Sequence, residues 1–67
     1  MNITIESERE DDGRWLAEVV GIPGVLAYGA TQAEAMTKAE ALALRALAEK
    51  LEHGEIGPLP ISISWAA

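Results

Sequence analysis

Cysteine is absent from the chain and histidine occurs once, as His53. The first absence excludes disulfides and thiolate zinc sites, and the second leaves no histidine-based metal centre to expect. Basic residues are scarce: 5 Lys and Arg stand against 11 Asp and Glu, a formal net charge of -6. So acidic a chain has no footprint for phosphates and repels nucleic acid, so direct DNA binding is not expected. Its aromatics are Trp15, Tyr28 and Trp65, few for stacking a single strand and set in a chain of the wrong net charge. No apolar run approaches the ~20 residues of a membrane span. The polar start Met1-Asn2-Ile3-Thr4 lacks the basic and apolar regions of a signal peptide, so a cytoplasmic location away from membranes is expected.

What is present is 67 residues, 49% of them hydrophobic. That composition argues against disorder, and the length fits one domain spanning residues 1–67. A domain of this size buries only about 60% of its unfolded surface, and small chains without disulfides or metals gain stability by association. A homo-oligomer, dimer or tetramer, is therefore expected. The negative field would also steer the chain toward a basic partner.

Asn2 to Arg9 alternates Ile3 and Ile5 with polar neighbours and reads as a strand. Asp12-Gly13 marks a tight hairpin turn, and Arg14 to Val20 resumes as a second strand. In Gly21-Ile22-Pro23-Gly24, Pro presets φ and Gly permits the left-handed position, so a second turn precedes a short strand from Val25 to Tyr28. Thr31-Gln32-Ala33-Glu34 fits a capping box. From Gln32 to Glu52 there is neither Gly nor Pro, which predicts one long helix. Gly54 supplies its left-handed stop, with Lys50 and His53 set favourably against the dipole. After a linker, Ile61 to Trp65 returns to strict alternation.

The order βββαβ implies an α+β fold: a three-stranded antiparallel meander with one long helix on one face and a parallel C-terminal edge strand. The expected strand order is 3-2-1-4. Helical periodicity sets Ala35, Met36, Ala39, Leu42, Ala43, Ala46 and Leu47 against the sheet. Ala41, Leu44, Ala48 and Leu51 lie further round than one sheet face covers. Surplus apolar area marks an interface, so Leu44, Ala48 and Leu51, with Ile61, Ile63 and Trp65 of the last strand, are candidate interface residues.

No enzyme constellation is found, and neither a catalytic residue nor a cofactor is expected. His53 reads as a helix-end charge, and Ser62 and Ser64 as ordinary polar choices on an edge strand. The run Glu8, Glu10, Asp11, Asp12 lacks the spacing of a calcium loop and reads as a solvated hairpin tip. No glycine loop opens the helix in a phosphate-binding pattern.

Several segments together resemble a known family. Asp12-Gly13-Arg14-Trp15-Leu16-Ala17-Glu18-Val19, then Ile22-Pro23-Gly24-Val25, then Tyr28-Gly29-Ala30-Thr31, with Thr31 to Ala35 and Ala39 to Leu42 following, are similar in order and spacing to the HicB-type antitoxin domain. Val20-Gly21 departs from the proline and acidic residue usual there. The resemblance implies a partial ribonuclease H fold and no catalytic residue of its own. It also implies binding to a small basic HicA-type toxin, a ribonuclease that cleaves messenger RNA. Carried over, Gly13, Pro23 and Gly24 shape turns, Gly29 allows the tight passage from strand to helix, and Thr31 with Glu34 caps the helix. The operator-binding extension common in that family is not expected after Ala67.

The leading expectation is thus a HicB-like protein-interaction module. Two rivals each require a surface cluster. An RNA-binding or otherwise unassigned oligomeric domain needs Arg9, Arg14 and Lys38 together. A ribonuclease H-like enzyme needs Glu6, Glu8 and Glu18 gathered around magnesium.

Overall fold

The computed structural model of the protein describes residues 1–66. Its elements are β1 (Asn2–Arg9), β2 (Trp15–Val20), β3 (Leu26–Gly29), α1 (Gln32–Glu52) and β4 (Ser62–Ala66), the βββαβ order of an α+β fold. One mixed sheet runs β3-β2-β1-β4. β2 is antiparallel to β1 and β3, and β4 is parallel to β1.

The strands β2, β3 and β4 each begin one residue later than the pattern predicts, in β2 and β3 because turn hydrogen bonds claim the residue before. The Arg14 amide donates to Asp12 Oδ1 at 3.0 Å, which keeps Arg14 in the hairpin loop. The Val25 amide donates to the Ile22 carbonyl at 3.3 Å and closes the second turn around Gly24, at φ 79°. In β4 the first ladder bond is Ser62 N–H to the Met1 carbonyl at 2.9 Å.

The first hairpin is looser than a two-residue Asp-Gly turn. Gly13 N–H donates to the Glu10 carbonyl at 3.0 Å and Glu10 N–H to the Arg14 carbonyl at 2.7 Å. Gly13 alone takes positive φ, at 89°, so Asp11, Asp12 and Gly13 form a three-residue loop.

At the start of α1, Thr31 Oγ1 accepts from the Glu34 amide at 3.1 Å. The reciprocal half of the capping box is diverted: the Glu34 carboxylate accepts from Lys38 Nζ at 2.9 Å, one turn on. At the other end Glu55 N–H bonds the Lys50 carbonyl at 2.9 Å and Gly54 N–H the Leu51 carbonyl at 3.2 Å. This is a Schellman stop with Gly54 at φ 70°.

The core lies between α1 and one face of the sheet. Ile3 and Ile5 of β1, Ala17 and Val19 of β2, and Ile22 meet Ala35, Ala39, Ala43 and Leu47 of the helix. Three of those helix residues are alanines at i, i+4 spacing, so the helix backbone rides close to the strands. Gly29 takes this furthest, since a Cβ there would fall 2.6 Å from the Ala35 nitrogen.

Two expected packings differ. Leu42 is 39% exposed rather than set on the sheet, because the helix contacts through the narrow 35-39-43-47 line and Leu42 falls to one side of it. Ile56, assigned to a linker, packs against the core.

Candidate functional site

Alternation along each strand sends one set of side chains to α1 and the other to the bare face. On that open face stand Asn2, Thr4, Glu6 and Glu8 of β1, Leu16, Glu18 and Val20 of β2, and Leu26 and Tyr28 of β3, with Ser62 and Ser64 of β4. No element covers them. Register decides what these residues do together: Glu6 sits directly opposite Glu18, and Glu8 opposite Leu16. A like-charge pair directly opposed in a sheet opposes folding. The glutamates border a shallow depression of about 120 Å³ lined by Glu6, Ser7, Glu8, Leu16 and Glu18. Leu16 lines it as its apolar member and is buried although it lies outside the core cluster.

Beside this acidic strip is an apolar one. Val20 is 48% exposed and Leu26 43%, while Tyr28 carries the Arg14 guanidinium 4.5 Å above its ring. Arg14 is also paired to Asp12 at 2.7 Å. That pairing holds the Asp12 carboxyl below the usual range, first through the Arg14 amide and then through its side chain. Glu34 is lowered likewise, by Lys38.

Two of the residues that an RNA surface would need, Arg14 and Lys38, meet at Tyr28, and both are already engaged there. Arg9 lies in register with Trp15 on the helix side of the sheet, whereas Arg14 stacks over Tyr28 and Lys38 is bound to Glu34 and to the Tyr28 carbonyl. The magnesium cluster fares no better: among the described residues no group of three His, Cys, Asp or Glu side chains is placed to hold a metal ion. Glu6, Glu8 and Glu18 share a face without converging on a point.

The residues singled out for an interface lie elsewhere, on the helix side. Leu44 is 47%, Leu51 42%, Ile61 37% and Trp65 49% exposed, with Ala48 exposed as well. Ile63 is half-buried and packs against the core. The helix lies over β3, β2 and β1 and does not reach β4. The turn and cap residues act locally. Gly13, Pro23, Gly24, Thr31 and Gly54 build loops and helix ends, Glu34 holds Lys38, and Gly29 sets the helix-to-sheet distance.

One helix cannot cover both sheet faces, and the sequence places Leu16 and Val20 on the uncovered one; it missed that Leu26 and Tyr28 continue it. Leu26 and Tyr28 of β3 join Leu16 and Val20 across β2, and only the strand pairing brings these residues together. The alternation of Leu26 and Tyr28 with Val25 and Ala27 is the signal that could have found it. Among the described residues no helix is long and apolar enough to cross a membrane. No protein-family model matches the chain, no curated protein is similar to it, and no solved structure matches it.

Proposed function

We propose that this chain is a HicB-like interaction module whose open sheet face receives a small basic protein of the HicA toxin kind in the cytoplasm. In this reading its βββαβ sheet is a partial ribonuclease H fold that has kept the scaffold without a catalytic centre. The residue motifs from Asp12 to Ala35 support the family reading, and the net charge of -6 supports a basic partner.

One observation carries the proposal: Glu6 and Glu18 are held directly opposite each other on an uncovered face, beside Leu16, Val20, Leu26 and Tyr28. Placing like charges there costs stability, and natural sequences accept such local conflicts at functional sites. A lysine or arginine arriving over the pair would relieve the repulsion, while the adjoining apolar strip supplies area to bury. Charge of this kind raises association rates and selects partners more than it adds raw affinity.

The test is co-expression and pull-down with small basic toxins of the HicA kind encoded beside the gene, with growth rescue as the second readout. The chain is expected to bind and rescue, with association slowing as salt rises. The variant Glu6→Lys/Glu18→Lys should lose binding while remaining folded by circular dichroism. Absence of binding and rescue by the unaltered chain, or full retention by the double variant, overturns the proposal.

A further inference from the structure

The two edges of the sheet are treated differently. At the β3 edge the strand is only four residues long, Lys38 Nζ donates to the Tyr28 carbonyl at 3.4 Å, and Arg14 covers the Tyr28 ring. These are devices by which natural sheets blunt an edge: shortness and positive charge. The β4 strand is also short, at five residues, but it carries no charge to deter pairing. From Ile56 to Ala67 the sequence contains no Asp, Glu, Lys or Arg, in a chain that is 24% charged.

The orientation of the free groups follows from the ladder. Ser62 N–H bonds the Met1 carbonyl, and the parallel register pairs Asn2 with Ser62, Ile3 with Ile63 and Thr4 with Ser64. Ser62 and Ser64 therefore direct their backbone groups toward β1, and Ile63 and Trp65 direct theirs outward. The same two residues carry the apolar side chains on the helix side of the strand. There α1 does not cover them, and Trp65 stands half-exposed.

From this we infer that the occupant of the β4 edge is a second copy of this chain. The two β4 strands pair antiparallel about a two-fold axis at Ser64, so that two sheets become one of eight strands. In that register Ile63 of one copy lies opposite Trp65 of its partner and exchanges both backbone bonds with it. The axis stands perpendicular to the sheet, so both helices lie on the same side. They flank a trough floored by Ile63 and Trp65 from both copies.

Leu44 and Leu51 lie on the helix flank turned toward this trough. The opposite flank, with Lys38, Ala41, Leu42 and Arg45, borders Ala27 and Tyr28 at the β3 edge, and at 100° per residue Leu44 and Leu51 fall on the other side of the buried line.

Charge singles out this occupant. Two chains of charge -6 repel wherever glutamates meet, and the uncharged β4 strand is a surface on which they can approach. The pairing leaves the open sheet face free, so the inference stands whether or not a basic partner binds there.

The experiment exploits the absence of cysteine. In Ser64→Cys the two introduced thiols face each other across the axis at about 4.5 Å between Cα atoms, within disulfide reach. In Ser62→Cys they are four residues out of register. Mild oxidation is expected to convert Ser64→Cys to a covalent dimer and to leave Ser62→Cys uncoupled. Sedimentation of the unaltered protein should show a dimer at micromolar concentration. Trp65→Lys, which places charge on the edge, should weaken it on the order of thirtyfold without loss of helical signal. A monomer at these concentrations, equal coupling of the two cysteine variants, or an undiminished dimer in a folded Trp65→Lys protein overturns the inference.

Discussion

Replacing Gly29 by alanine tests the closest approach in the fold. Gly29 is buried at the end of β3, and an added Cβ would lie 2.6 Å from the Ala35 nitrogen, 3.0 Å from Glu34 Cβ and 3.1 Å from Ala35 Cα. Carbon atoms settle at about 3.5–4.0 Å from their neighbours. Two of the three obstacles are backbone, so no rotamer change relieves the clash and the first turn of α1 must retreat by about 1 Å. Overpacking of this kind costs about 1–3 kcal/mol. The retreat also strains the bond from the Glu34 amide to Thr31 Oγ1, and losing such a cap costs about 1 kcal/mol. Alanine returns about 0.4–1 kcal/mol by restricting the unfolded chain. The net loss is about 2–3 kcal/mol, a large part of the roughly 3–10 kcal/mol expected for a chain of this length. Thermal melts followed by circular dichroism should fall by about 10–20 °C, with urea midpoints moving in parallel. Gly57→Ala is the control, because a Cβ there meets nothing within 4 Å. If Gly29→Ala melts at or above the Gly57→Ala protein, the argument from close approach is wrong.

Three further outcomes follow from the same geometry. Ile5 is fully buried between Val19 and Trp65 in register, so Ile5→Ala should cost about 2–5 kcal/mol, read as a collapsed urea midpoint or an unfolded spectrum. Glu18→Thr removes the like-charge pair with Glu6 and should stabilise the fold by about 0.2–1 kcal/mol, more at low salt, while weakening capture of a basic partner. Asp12 and Glu34 are more acidic folded than unfolded, through Arg14 and Lys38 respectively. Their stabilisation is therefore complete above their unfolded values, near pH 4, and is lost as pH falls through the lower folded values. Both groups are exposed, so the acid slope should be shallow. Asp12→Asn/Glu34→Gln should flatten it further in melts from pH 7 to pH 3.

Much of this fold is legible one neighbour at a time. The Thr31 cap, the Gly54 stop and the Pro23-Gly24 turn each rest on partners within a few residues, and the element order follows from them. Errors cluster where two local signals compete. Asp12-Gly13 reads as a two-residue turn until the Arg14 amide turns back on Asp12, and Glu34 reads as a reciprocal cap until Lys38 takes its carboxylate. Leu42 has the right spacing for burial and misses it because a line of small alanines brings the sheet to a narrow strip of the helix.

The candidate surfaces divide in the same way. By itself the sequence determined that the chain is acidic and free of cysteine, that one helix must lie on a four-stranded sheet, and that apolar residues exceed what that layout hides. The helical and strand periods already single out Leu44, Leu51, Ile61 and Trp65, and only the tertiary structure added the rest. Register set Glu6 against Glu18, strand order joined Leu16, Val20, Leu26 and Tyr28 across one face, and the helix, drawn over β3, β2 and β1, left β4 bare. The reason is physical: caps and turns depend on atoms a few bonds apart in sequence, whereas coverage of a face depends on where a whole helix settles, and that is set by distances between strands far apart in the chain.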